Sequence, residues 1–336
     1  AVTINTDGTV KKADIYSEWY NYTNKSWANA VLLNSNDTYS AGDTIEENNI
    51  KAYYVWIPRY KYQIFYDGTN ATSKQLINIE FENKDTTKSN STTKGEWLTH
   101  PAFTFGDTEL NGIWVGKFEL TGDTTNPTIK PNVESLRNEN VSTLFATTQK
   151  LSTNSSMIKN IEWGAIAYLT TSIYGQGLNE VRINNSSAYI TGCAASIEYG
   201  SNYNGCQNKY NTTIGYLAST TGNISGIYDM NGVTLEYVMG VMKSKGSNTP
   251  NVSSSGFTTL SESKYYDIYT YSTSSSDFKR YHLGDATAET KGWNADTAYF
   301  VDSRYPWFLR GNNGIFASNI SEGAALDNRT SRAVLR

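Results

Sequence analysis

Residues 52–66 read Ala-Tyr-Tyr-Val-Trp-Ile-Pro-Arg-Tyr-Lys-Tyr-Gln-Ile-Phe-Tyr. Ten of these fifteen side chains are aromatic or β-branched. Such residues crowd a helix and fit the half-buried surface of a pleated sheet. A strand is therefore expected, with Pro58 marking an edge or a bend because it has no N–H to donate. A second strand is expected over 112–120, Gly-Ile-Trp-Val-Gly-Lys-Phe-Glu-Leu. The helical signals are few. Met157, Ile161, Ile166 and Leu169, with Trp163 and Ala167 beside them, predict an amphipathic helix over 157–171, and Gly175 and Gly177 follow as stop signals. A weaker helical pattern lies within 134–150. The fold class expected is α+β and β-rich, with long loops and few helices.

Residues 1–50 read as a separate strap. Trp19-Tyr20-Asn21-Tyr22 and Trp27 to Leu33 flank the polar Thr23-Asn24-Lys25, which predicts a β-hairpin. Residues 34–48, 82–95, 184–226, 243–264 and 271–277 are rich in Ser, Asn, Thr or Gly and read as loops. A β scaffold carrying so much polar loop usually places its function in the loops.

Charged residues make up only 18% of the 336, and the net charge is −4 with no basic patch, so nucleic acid is not expected as a partner. No apolar run approaches the roughly 18 residues of a membrane helix, so this segment is not expected to insert. The opening Ala1-Val2-Thr3-Ile4 suits a mature chain after signal cleavage, and equally a piece of a longer parent. Cys193 and Cys206 close a short, polar, turn-rich loop in a chain with no other cysteine. A disulfide is the expected reading, and two free thiols the alternative.

The segment Gly-Ile-Tyr-Asp-Met-Asn-Gly-Val-Thr-Leu-Glu-Tyr, 226–237, resembles the Gly-(Leu/Ile)-Tyr-Asp-Met-x-Gly-Asn-x-x-Glu-(Trp/Tyr) signature of the formylglycine-generating-enzyme family. Three pieces agree in order: Glu162 to Leu169 with that family's central helix, Trp307-Phe308-Leu309-Arg310-Gly311 with its Arg-Gly-Gly strand, and Ser331 to Leu335 with its terminal strand. The resemblance covers about residues 52–336 and implies a C-type-lectin-like domain over 51–336. It also implies that Asp229 fixes a turn. In non-catalytic relatives from gut Firmicutes and their phages, the fold ends in a C-terminal ligand-binding surface.

The departures bear on chemistry. The family's enzymes bind copper through a cysteine pair near the C-terminus, and residues 207–336 contain none. The iron-dependent relatives use three histidines, and this chain has His100 and His282 alone. No catalytic residue, cofactor or metal is therefore expected, although Asp285, Asp296 and Asp302 fall in one loop-rich stretch that would suit calcium. The resemblance places the recognition surface between Arg310 and Arg329, at Asn312, Asn313, Ser318, Asn319, Ser321, Glu322, Asp327 and Asn328, with Trp293, Tyr305 and Trp307 as aromatic platforms. The implied role is extracellular recognition, on a cell surface or virion, of a surface glycan or a protein. A filament, pilus or virion subunit that assembles through residues 1–33 is the alternative, and an enzyme of unrecognised chemistry is a third.

Overall fold

The computed structural model describes residues 1–66, 74–93, 95–194, 204–270 and 283–336. Its centre is an eight-stranded antiparallel sheet. The spatial order is Ser155–Met157, Ala333–Leu335, Gly112–Gly116, Ile50–Pro58, Asn29–Leu33, Val2–Ile4, Val10–Lys12 and Thr44–Ile45. The aromatic run behaves as its composition demands up to Pro58. There the chain turns: Arg59 is buried and ion-paired to Glu82 at 2.9 Å and Glu109 at 2.7 Å. Tyr60–Gln63 then joins Asn78–Phe81 and Leu98–Thr99 in a separate three-stranded sheet.

Residues 1–50, read from the sequence as a strap, contribute four strands to the central sheet, from Val2–Ile4 to Thr44–Ile45. The expected hairpin is absent. Asn29–Leu33 pairs with Ile50–Pro58 instead of with residues 19–22. Residues 21–26 form a tight loop closed by an Asn21–Ser26 bridge. Tertiary contacts override the local pattern: the Tyr22 hydroxyl donates to Trp56 O at 2.6 Å, and buried Trp27 donates its indole N–H to Tyr174 O at 2.8 Å.

A second sheet is built on Leu235–Met242. Asp267–Tyr269 and Arg329–Ser331 pair with it in parallel, and Trp307–Arg310 antiparallel, followed by Ser318–Ser321. Two α-helices lie among the described residues, besides three two-stranded ribbons and short 3-10 turns. Helix α1, Val141–Gln149, starts at Asn140, whose side chain accepts from Thr143 N at 3.0 Å. Helix α2, Asn160–Thr170, begins where Glu162 accepts from Lys159 N at 2.8 Å.

Helix α2 departs from the amphipathic pattern predicted for it. Every residue of α2 is buried, Glu162 included, because packed elements surround it. Its side chains share one apolar cluster with Val55, Ile57, Ile113 and Val115 of the central sheet and with Val238 and Phe308 of the second. The approach is closest at Gly164, where a Cβ would lie 1.8 Å from Gly284 O, so only glycine fits.

Candidate functional site

The residues that carry the resemblance lie in the interior. Arg332 precedes the strand Ala333–Leu335 and is fully buried. It donates to both oxygens of buried Glu236, at 2.6 and 3.1 Å, to Gly116 O at 2.8 Å and to Tyr228 O at 2.9 Å. One side chain thereby ties together both sheets and the turn before Asp229. Asp229 has left-handed backbone (φ 61°) and accepts from Asn184 Nδ2 at 2.8 Å, Gly192 N at 2.7 Å and the Thr191 hydroxyl. Glu119 accepts from the Thr234 hydroxyl at 2.7 Å and from the Ser135 hydroxyl. Burial pushes all three carboxyls up, and Glu236 and Asp229 raise Glu119 further. Arg332 is the counter-charge to this cluster.

Lys117, within the expected strand over 112–120, is fully buried. Its amine donates to Asn29 Oδ1 at 2.9 Å, Ile224 O at 2.6 Å and Gly226 O at 2.8 Å. Burial holds it well below the usual lysine range. His100 is also interior. Its Nε2 meets Gly284 O at 3.0 Å, its Nδ1 accepts from Ala102 N at 3.2 Å, and burial depresses it to about 3. Lys117, His100, Asp229 and Arg332 each hold backbone, while Glu119 and Glu236 are bonded to side chains.

The C-terminal surface separates into four groups. Trp293 and Trp307 are fully buried, which corrects the expectation of aromatic platforms there. Trp293 packs edge-on against Phe65 and Phe316, and Trp307 stacks on Phe257. Ser318 and Ser321 are buried too, bonded to Tyr299 O and the Tyr237 hydroxyl at 2.8 Å each, so they are not recognition residues on the surface. Asn312, Asn319 and Asn328 are half-buried. Asn313, Tyr305, Glu322 and Asp327 are exposed. His282 lies outside the described residues.

The three aspartates considered for calcium do not converge. Asp285 is buried, accepting from Thr287 N and Oγ1 and from the Tyr269 hydroxyl. Asp302 is exposed and caps the turn at Arg304 and Tyr305. Among the described residues no three acidic, histidine or cysteine side chains gather around one point. The cysteines do pair: Cys193 and Cys206 form a disulfide.

Asn313, among the expected surface residues, lines a cleft of about 470 Å³. Its polar side chains come from four stretches, at 176–182, Asn231, Asn294 with Asp296, and Asn313, and Val181, Ile183 and Leu217 add apolar lining. Asn313 and Asn294 both have left-handed backbone (φ 65° and 55°), a conformation asparagine tolerates better than most residues. Asp296 accepts from Phe316 N at 3.0 Å, and its carboxylate lies where a Cβ on Gly314 would be, 2.0 Å away, so glycine is required there. Burial, and secondarily Glu180, push Asp296 up to about 7. Asn231 is 5% exposed. Its Nδ2 donates to Val181 O at 2.6 Å while its Oδ1 has no partner. The cleft thus offers amides, carboxyls and a guanidinium on a rigid base, which suits hydrogen bonding to a polar ligand.

Sequence reading missed Gln176, Glu180, Arg182, Asn231 and Asn294. The available signal was a polar stretch after the stop glycines and the polar Asn294-Ala295-Asp296 beside Gly292. Neither says that the two stretches meet.

No family description and no curated protein matches this chain. Among solved structures it is similar to one titled Major Tropism Determinant I1 Variant, at 13% identity and a TM-score of 0.31, over 99% of this chain and 93% of that one. The likeness is too slight to carry chemistry from that protein to this one. The architecture itself is β-rich, with several sheets and two α-helices among the described residues. No helix among them is long and apolar enough to cross a membrane.

Proposed function

We propose that the chain is an extracellular, non-catalytic recognition protein of the adhesin or phage receptor-binding type. It carries a C-type-lectin-like domain of the formylglycine-generating-enzyme-like kind, and it binds a surface glycan or protein in the cleft beside Asn313. The observation that carries this reading is the cleft, whose polar side chains come from four stretches of chain and include a buried acceptor, Asn231 Oδ1, left unpaired. The disulfide supports the extracellular assignment, because such bonds persist in oxidising compartments. The non-catalytic assignment is supported by the structural work of Asp229, Glu236 and His100. The scaffold assignment is supported by the way the resemblance residues cluster: Asp229, Glu236 and Arg332 form one buried network.

The filament reading drew on a detached strap able to donate a strand to a neighbour. In this structure the strands of residues 1–45 are already paired within their own sheet, which favours the recognition reading.

Binding to a glycan array and to host-cell envelope preparations tests the proposal. The variant Asn179→Ala/Asn313→Gly strips two cleft side chains, and glycine keeps the left-handed backbone at 313 unstrained. The control Glu322→Ala/Asp327→Ala alters exposed residues outside the cleft. Binding that the cleft variant loses and the control keeps is the expected result. Binding that the cleft variant keeps removes this cleft as the site.

A further inference from the structure

At one rim of the cleft four reactive side chains converge from three stretches of chain. Lys74 lies just before the strand Asn78–Phe81 and is half-buried. Its amine donates to Leu178 O at 2.9 Å and to Asn294 Oδ1. Glu180 lines the same cleft as Asn294 and lies within electrostatic reach of Lys74. Asp296 is two residues on, within electrostatic reach of both Lys74 and Glu180. With two carboxylates nearby, a lysine would ordinarily pair with one of them. Among the described contacts Lys74 forms no ion pair, and its amine is bonded to the Asn294 carboxamide instead. We propose that Lys74 and Asn294 are joined by an intramolecular isopeptide bond, formed by the protein itself with release of ammonia.

The atoms balance without any outside reagent. Lys74 passes a proton to Glu180 and becomes a neutral amine. Its lone pair attacks Asn294 Cγ, forming the Nζ–Cγ bond and placing the carbonyl electrons on Oδ1. Glu180 returns the proton to Nδ2, the Cγ–Nδ2 bond breaks as the carbonyl reforms, and ammonia leaves. The extra proton on Nζ then goes to Glu180 and from there to the departing ammonia. Nothing is oxidised or reduced. Holding a nucleophile against one amide, with a proton carrier nearby, removes much of the entropic barrier to such a step.

The local electrostatics agree with these roles. Burial lowers Lys74 against the opposing pull of Glu180 and Asp296, which favours the free amine. Burial raises Glu180, which favours a carboxyl able to donate. Asn294 cannot swing away easily, since its backbone is left-handed and the neighbouring Trp293 is anchored in the core. The bond would tie the chain before Asn78 to the loop at 293–296, and it is independent of whether the cleft binds a ligand.

Intact-mass measurement and peptide mapping of the purified chain test this directly. The expected mass is that of the disulfide-bonded sequence less one ammonia, and digestion yields one branched peptide joining Lys74 to Asn294. The variant Lys74→Arg keeps the charge but cannot make the bond, and is expected at full mass, as is Glu180→Gln. Full mass in the parent, with separate Lys74 and Asn294 peptides, overturns the proposal. Loss of ammonia without the branched peptide also overturns it, because that pattern belongs to succinimide formation at an asparagine. A branched peptide in Glu180→Gln overturns the proton role given to Glu180.

Discussion

Replacing Arg332 with methionine removes the sole cation bonded to the buried carboxyl cluster. Four hydrogen bonds disappear: two to Glu236 and one each to Gly116 O and Tyr228 O. Removing one member of a buried ion pair typically costs about 3–5 kcal/mol, because the remaining charge is left without compensation. Glu236 can limit the loss by taking up a proton, so we expect about 4 kcal/mol near neutral pH, roughly a thousandfold in the ratio of folded to unfolded chain. The escape route predicts a pH dependence. Without Arg332 the folded form binds a proton that the unfolded form has released, so stability falls as pH rises above the ordinary carboxyl range. The variant is therefore less destabilised near pH ~5 than near pH ~8. The double variant Arg332→Met/Glu236→Leu removes the orphaned carboxyl and leaves only two carbonyls without donors, at about 1–3 kcal/mol each at most. It is expected to be more stable than Arg332→Met alone. Denaturant titration followed by tryptophan fluorescence, at both pH values, provides the comparison. A single variant within about 1 kcal/mol of the parent, or a double variant no more stable than the single, refutes the assignment of Arg332 as the counter-charge.

Two further outcomes are expected. Asp285, Glu289 and Asp296 are raised by burial to about 6, 7 and 7, so the parent itself loses stability as pH rises from the ordinary carboxyl range through those values. His100 opposes this trend at lower pH, since stability tied to its neutral form is lost as pH falls from 6.5 towards about 3. Unfolding midpoints measured across pH, with Glu289→Gln and Asp296→Asn flattening the neutral slope, check the assignment. Reducing the Cys193–Cys206 disulfide, which closes a loop of 13 residues in sequence separation, is expected to lower stability by about 3 kcal/mol in denaturant titrations. Replacing both cysteines with serine should cost the same.

Strands made of consecutive β-branched and aromatic residues were legible in the sequence because their preference is local. Ile50–Pro58 and Gly112–Gly116 are of this kind, Trp307–Arg310 was expected through the family resemblance, and the cysteine pair was legible through its isolation. Partner choice was not. Nothing in Asn29–Leu33 tells it to pair with Ile50–Pro58 in place of Trp19–Tyr22, since that outcome depends on where Tyr22 and Trp27 find hydrogen-bond acceptors 34 and 147 residues away. Burial of Lys117, Glu119 and Arg332 was illegible for a related reason: charge reads as surface until the groups that satisfy it are brought together. Trp293 misled in the opposite sense, because a tryptophan in a polar loop gives no sign that Phe65 and Phe316 enclose it. The cleft is the extreme case, with walls drawn from positions as distant as 176 and 313.

The placement of Ala333–Leu335 bears on how the chain is made. It sits inside the central sheet, between Gly112–Gly116 and Ser155–Met157, and Arg332 leads into it. A ribosome emits these residues after every other strand of both sheets. Until they emerge, the nascent chain carries a vacant lane with two unpaired borders and three buried-type acids lacking their cation. Folding of the two sheets is therefore a closing event, completed only when this strand takes its place between its two neighbours.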